Sequence, residues 1–140
     1  MKILVAADGS RFTKRALAYV AAHDEWLGAQ HDYSVLTVVP PLPARVAAEL
    51  TKEILKAHHE AQAERVFKPI RSFFDKQGLK AEFVAKTGEP AELIAALAES
   101  GKFDLLLMGS HGHGALGNVL LGSVATKAMA RCRTPVLIVR

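Results

Sequence analysis

The sequence has a single cysteine, Cys132, which excludes an internal disulfide and suits a reducing compartment. No apolar run approaches the roughly 20 residues of a membrane-spanning helix. The opening, MKILVAADGS, reaches a carboxylate at Asp8 without the long apolar segment and small-residue cleavage site of a secretory leader. A cytoplasmic location with no membrane role is expected. Aromatic residues make up only 6% of the chain, too few for base-stacking platforms, and Lys and Arg are not dense enough for a nucleic-acid stripe. No nucleic-acid partner is expected. Acidic residues stop at Asp104, whereas Lys127, Arg131, Arg133 and Arg140 follow it. The net charge of +4 is therefore skewed toward the C-terminal quarter, which favours a small anionic ligand.

The 140 residues fit one domain, 1–140, and half of them are hydrophobic, enough for an ordinary core. Strand-like runs occupy 2–7, 33–39, 81–86, 103–109 and 135–140. Segments of helical spacing lie between them at 11–28, 44–77, 90–100 and 119–132. Gly28, Gly78 and Gly101 stand where helices should end, Pro90 where one should begin, and Pro69 is expected to kink or split the second. Alternation of strands and helices predicts an α/β fold, a single-domain open parallel five-stranded sheet, and right-handed crossovers put helices on both faces. The closing strand, if at an edge, exposes unpaired backbone and invites pairing with a second copy.

Glycine is concentrated in one place. The stretch GSHGHGALGNVLLGS, residues 109–123, has glycine at 109, 112, 114, 117 and 122. Glycine loses more freedom on folding than any other residue, so such density needs a reason. Ligands of open α/β sheets sit beyond the carboxyl ends of the strands, and this stretch runs from the fourth strand into the fourth helix. A helix start presents unpaired N–H groups and the positive end of a dipole, and glycines let a phosphate come close to them. The Walker spacing is approached by GNVLLGSV, but Ser123 follows Gly122 directly and the lysine is absent. Gly112, Gly114 and Gly117 match G-x-G-x-x-G, but after the fourth strand, with no acidic residue downstream to hold a ribose. A third spacing remains: Gly109-x2-Gly112-x9-Gly122-Ser123.

That spacing resembles the G-x2-G-x9-G-[ST] signature of the ATP-binding branch of the universal stress protein family. ILVAADGS, VLTVVPP, TGEPAELI and PVLIVR occur in the order the family would have them, so the resemblance spans the chain. It implies an adenine-nucleotide-hydrolase-like fold with strand order 3-2-1-4-5 and a homodimer through 135–140. It also implies a cofactor, ATP or AMP or ADP, with Mg²⁺. On that resemblance Gly109 and Gly112 flank ribose and phosphates, Gly122 and Ser123 hold phosphates, and the Val38 backbone contacts adenine. Asp8 faces the ribose or a phosphate-bound divalent ion, across a crevice from Gly109. Ser110, His111, His113 and Val124 complete the implied cofactor-binding set. One departure stands out: residues 113–118, HGALGN, carry no Lys or Arg where many relatives have a basic residue. Protonated His111 and His113 are the candidate replacements.

Plainer roles compete for the same residues. Gly109 and Gly112 could serve only a tight turn, Ser123 could be an ordinary helix-start residue, and Asp8 or Ser10 could cap the first helix. His58, His59, His111 and His113 read as solvated side chains, because no Cys or carboxylate completes a zinc set. Cys132 reads as a small buried hydrophobe, Lys127 and Arg131 as complements to a helix end, and Trp26 and the phenylalanines as core. No catalytic residue is expected, since the loop has no evident base and no basic clamp. The function that follows is a nucleotide-dependent stress-response or regulatory factor. The alternatives are a slow ATPase at the same site and an interaction module independent of nucleotide.

Overall fold

A computed structural model of the chain describes residues 1–114 and 118–140. In chain order the elements are β1 (Lys2–Ala6), α1 (Arg11–Ala22), α2 (Asp24–Leu27), β2 (Asp32–Val39), α3 (Ala44–Ala47), α4 (Lys52–Lys76), β3 (Ala81–Thr87), α5 (Pro90–Ser100), β4 (Leu105–Gly109), α6 (Ser123–Arg131) and β5 (Val136–Val139). The five strands form one sheet in the order β3-β2-β1-β4-β5, every pair parallel. The sheet is the one expected from the alternation, and its order is the one implied by the resemblance.

Period-two alternation sends side chains of the central strands to opposite faces. Ile3, Val5, Tyr33, Val35 and Leu107 pack with α1 and α4 on one face. Leu4, Leu36, Leu106 and Met108 pack with small residues of α5 and α6, among them Ala91, Ala98 and Ala128, on the other. β1 and β4 are thus covered on both faces, which is why their sequences are almost continuously apolar. The edge strands are less enclosed: every residue of β5 is half-buried.

Three expected boundaries shift. The first helical segment breaks at His23, and a short turn, α2, carries Leu27 into the core while Trp26 stays 38% exposed. Trp26 is therefore not core; it meets Tyr19 edge-on at the rim. The second segment breaks before Thr51, whose hydroxyl accepts from the Ile54 N–H and caps α4. α4 then runs through Pro69, which lacks an N–H and so leaves the Arg65 carbonyl without its usual helical donor. The last helix begins at Ser123 instead of 119, and Leu120 is 68% exposed in the loop before it.

Aromatic edges knit α4 to the sheet. Phe74, 1% exposed, meets Tyr33 at 5.4 Å and Phe83 at 6.3 Å between ring centres. The Tyr33 hydroxyl donates to the Leu27 carbonyl at 2.5 Å, and burial pushes its pKa up to about 12. Phe74→Ala should cost about 3–5 kcal/mol of stability, read from the midpoint of urea unfolding at unchanged slope. Tyr33 keeps its proton more tightly folded than unfolded, so between its ordinary pKa of 10.0 and about 12 the unfolded chain binds fewer protons. Stability should fall as pH rises through that window, and Tyr33→Phe should remove that part of the fall.

Candidate functional site

The carboxyl ends of β1, β2 and β4 lie side by side, and a cavity of ≈ 540 Å³ opens above them. Asp8 stands where the chain leaves β1. Its Oδ1 accepts from the Ser10 N–H at 2.9 Å and the Thr13 hydroxyl at 3.0 Å, and Thr13 Oγ1 accepts from the Asp8 N–H at 3.1 Å. Ser10, not Asp8, caps α1 by accepting from the Phe12 N–H. Half of the Asp8 carboxylate thus fixes the turn. The other half, Oδ2, has no hydrogen-bond partner among the described residues and faces Gly112, where a Cβ would stand 2.8 Å from it. Turn former and cavity-facing acid are two oxygens of one group.

β2 contributes main chain. The Leu36 carbonyl accepts from the Ala7 N–H at 2.9 Å, so Leu36 directs its backbone groups toward β1. Val38, two residues on, points the same way, past the last paired residue of β1 and into the cavity wall.

The exit from β4 is stapled at its base. The Ser110 N–H donates to the Val139 carbonyl at 2.8 Å, and the Gly122 N–H returns to the Ser110 carbonyl at 2.6 Å. His111 braces the same loop. A carbonyl can only accept, so Nε2 carries the proton donated to Val119 at 2.5 Å, while Nδ1 faces the Ser110 hydroxyl at 2.8 Å. The ring lies 5.0 Å from that of Phe12. Both ring nitrogens are engaged within the protein, so this histidine supports the loop and offers no free donor to the cavity. His113 is exposed but not merely solvated: its Nε2 donates to the Asp8 carbonyl at 2.6 Å, across the mouth.

Three motif glycines are defined by what would collide with a side chain. A Cβ at Gly109 would meet the Phe12 Cβ at 2.7 Å and its carbonyl oxygen at 3.0 Å, so Gly109 lets α1 pack against the end of β4. A Cβ at Gly122 would meet the His111 Cα at 3.0 Å and the Ser110 oxygen at 3.2 Å. Gly112 is limited by Asp8, as above. Among the described residues nothing comes within 4 Å of a Cβ at Gly114, and Gly117 lies outside the described residues. Among the described glycines of this loop, the crowded ones are therefore those of the G-x2-G-x9-G spacing. Gly122 caps α6 without a side-chain acceptor, which leaves the first amides of that helix uncapped beside the cavity.

Asp8, Val38, Gly109, His111, Gly112, His113, Gly122 and Val124 all line this one cavity. Ser110 lies buried beneath the loop, and Ser123 opens α6 on its exposed side; neither is part of the lining. Lys127, Arg131, Arg133 and Arg140 are also absent from it, and Arg131 pairs with Glu89 at 3.4 Å. The skewed charge read from the sequence is thus not at the cavity. Gln62, Arg65 and Val66 of α4 do line it, and sequence reasoning missed them. Their i, i+3, i+4 spacing marks a shared helix face, but only the crossover brings that face over the strand ends. Among the described residues no group of three or more His, Cys, Asp or Glu side chains could hold a metal by itself, so a cation here would need further oxygens beyond such side chains. Burial raises the pKa of the half-buried Cys132 thiol, and that cysteine lies outside the lining.

The sequence profile of the universal stress protein family matches residues 1–140. A universal stress protein of Thermus aquaticus is 35% identical over 138 residues, covering 99% of this chain and 97% of the relative. The solved structure of the hypothetical protein MJ0577, from Methanocaldococcus jannaschii, superposes with a TM-score of 0.81 at 30% identity, covering 99% of this chain and 94% of the other. An Arabidopsis thaliana universal stress protein family protein, solved with AMP bound, gives a TM-score of 0.70. It covers 99% of this chain and 90% of the other, and at 18% identity the likeness is one of fold.

In Gly122→Ala the added methyl presses on the His111 Cα and the Ser110 carbonyl, so the base of the loop must shift by a few tenths of an ångström. The substitution should cost about 1–3 kcal/mol in thermal or urea unfolding. Amide hydrogen exchange at Gly112 and in the first turn of α6 should accelerate relative to the rest of the sheet.

Proposed function

The chain belongs to the universal stress protein family, and from that premise we propose that its domain, 1–140, binds an adenine nucleotide. The ligand is ATP, or its relatives AMP and ADP, and the protein acts as a nucleotide-dependent regulatory factor in a stress response. The observation that carries this reading is the convergence of close-packed glycine backbone, uncapped α6 amides and the free Asp8 Oδ2 on one cavity of ≈ 540 Å³, within the range of small-molecule sites. The AMP found in the Arabidopsis structure of the same fold supports an adenine nucleotide as the occupant.

In this reading the Val38 backbone, directed past the end of β1, recognises the base edge. Gly109 and Gly112 leave room for ribose and phosphates. The N–H groups of Gly112 and of the α6 start, with the dipole behind them, hold the phosphate tail. Ser110 and Ser123 take supporting parts, the first by positioning His111 and the second by its own N–H. Mg²⁺ fits the donor set: it binds through one or two carboxylates plus phosphate oxygens, and Asp8 Oδ2 is a carboxylate oxygen with no other partner among the described residues. When bound, the ion neutralises phosphate charge.

Efficient turnover is not part of the proposal. Phosphoryl transfer needs a positioned nucleophile and strong charge compensation, whereas His111 is committed to the loop and His113 to the Asp8 carbonyl. The output is a shift between two states of the protein that bind the nucleotide differently. A second copy pairs with β5, whose outer edge lies beyond the β4 ladder, giving a two-fold dimer in the cytoplasm.

Calorimetric titration should give an ATP dissociation constant on the order of micromolar, about −8 kcal/mol, tightened by Mg²⁺. Asp8→Asn should abolish the Mg²⁺ increment and leave most of the metal-free binding. Mass spectrometry of the denatured, freshly purified protein should release an adenine nucleotide. No heat with ATP, ADP or AMP, together with no released nucleotide, would refute the reading.

A further inference from the structure

We propose that Arg65, on α4, supplies the positive charge missing from residues 113–118 and makes the site grade its ligands by the charge of their phosphate chain. The inference rests on the nucleotide reading above. Asp8 and Arg65 are the only Asp, Glu, Lys or Arg side chains among the described residues of the cavity lining. Without Arg65 the cavity would present its one carboxylate, two engaged imidazoles and neutral backbone to an anion of several charges.

The position of Arg65 is fixed by the turn of α4 that carries it. Ala63, Phe67 and Ile70 anchor the helix to the sheet, which turns Gln62, Arg65 and Val66 toward the cavity. Val66 Cγ2 lies 3.5 Å from where a Cβ would stand on Gly9, so this turn packs directly against the loop that holds Asp8. Arg65 and Asp8 thus line the same space from neighbouring elements.

Arg65 is also uncommitted. Arg71 pairs with Glu64 at 3.0 Å, Arg131 pairs with Glu89, and Arg11 and Arg15 lie over the Phe12 ring. Arg65 has no ion pair and no aromatic partner among the described residues, and the acid beside it in sequence, Glu64, is held by Arg71. A planar fork of donors on a long stem suits phosphate oxygens in a way an ammonium does not. Its exposure keeps the interaction screened, so its contribution should scale with the charge it meets.

The test is calorimetric titration of the full chain and of Arg65→Gln and Arg65→Lys with adenosine, AMP and ATP, with thermal unfolding to verify the fold. In Arg65→Gln, ATP should bind about tenfold more weakly and AMP on the order of threefold, while adenosine is unchanged. Arg65→Lys should fall between wild type and Arg65→Gln, and added salt should weaken ATP binding more steeply in wild type than in Arg65→Gln. Equal losses for all three ligands, or none, would overturn the inference while leaving nucleotide binding intact. A wild-type chain that binds none of the three would overturn both.

Discussion

One main-chain hydrogen bond holds the candidate site together: Gly122 N–H to the Ser110 carbonyl, 2.6 Å. It brings the end of β4 against the start of α6, where a side chain at Gly122 would crowd the His111 Cα at 3.0 Å and the Ser110 oxygen at 3.2 Å. Once these backbones touch, several features follow. Gly112 is carried next to Asp8, the Ser110 hydroxyl is sealed beneath the loop, and His111 is set to reach Val119. The same contact decides where α6 begins. Val119, Leu120 and Leu121 have the spacing and apolarity of a helix, but a helix running back through them would pull Gly122 off Ser110. The chain leaves Val119 and Leu120 exposed instead.

The sheet was legible because its signals are local and repeated. Five apolar runs of strand length, separated by helical spacing and punctuated by glycine and proline, admit few arrangements. Helix breaks were less legible. Thr51 is an ordinary cap signal, yet the apolar spacing of Val46, Leu50 and Ile54 reads straight across it; Val46 and Ile54 are in fact exposed. Trp26 shows the same limit. Composition argues for burial, but the break at His23 gives the inward position to Leu27.

The site was half legible. The glycine spacing and Asp8 could be read because ligand geometry constrains residue type at fixed intervals. What the glycines do was not legible: Gly109 accommodates Phe12, Gly122 accommodates Ser110 and His111, and Gly112 accommodates Asp8, all partners distant in sequence or defined only by the turn. The α4 wall was invisible for a related reason. A glutamine and an arginine on an amphipathic helix look like solvated surface until the crossover lays that face over the strand ends. Conversely, the basic C-terminal quarter looked like an anion site, but none of its Lys or Arg residues lines the cavity, and Arg131 pairs with Glu89.

Pro69 divides α4 into two sections of different character. Upstream, Gln62, Arg65 and Val66 line the cavity while Ala63 and Phe67 are buried against the sheet; downstream, Ile70 and Phe74 are buried in the core, where Phe74 meets Tyr33 and Phe83. The ladder is cut between them, because the Arg65 carbonyl has no donor four residues on. The missing bond leaves a lone carbonyl on a helix whose buried side chains grip the sheet on both sides of it, so packing rather than an unbroken ladder keeps the wall in place.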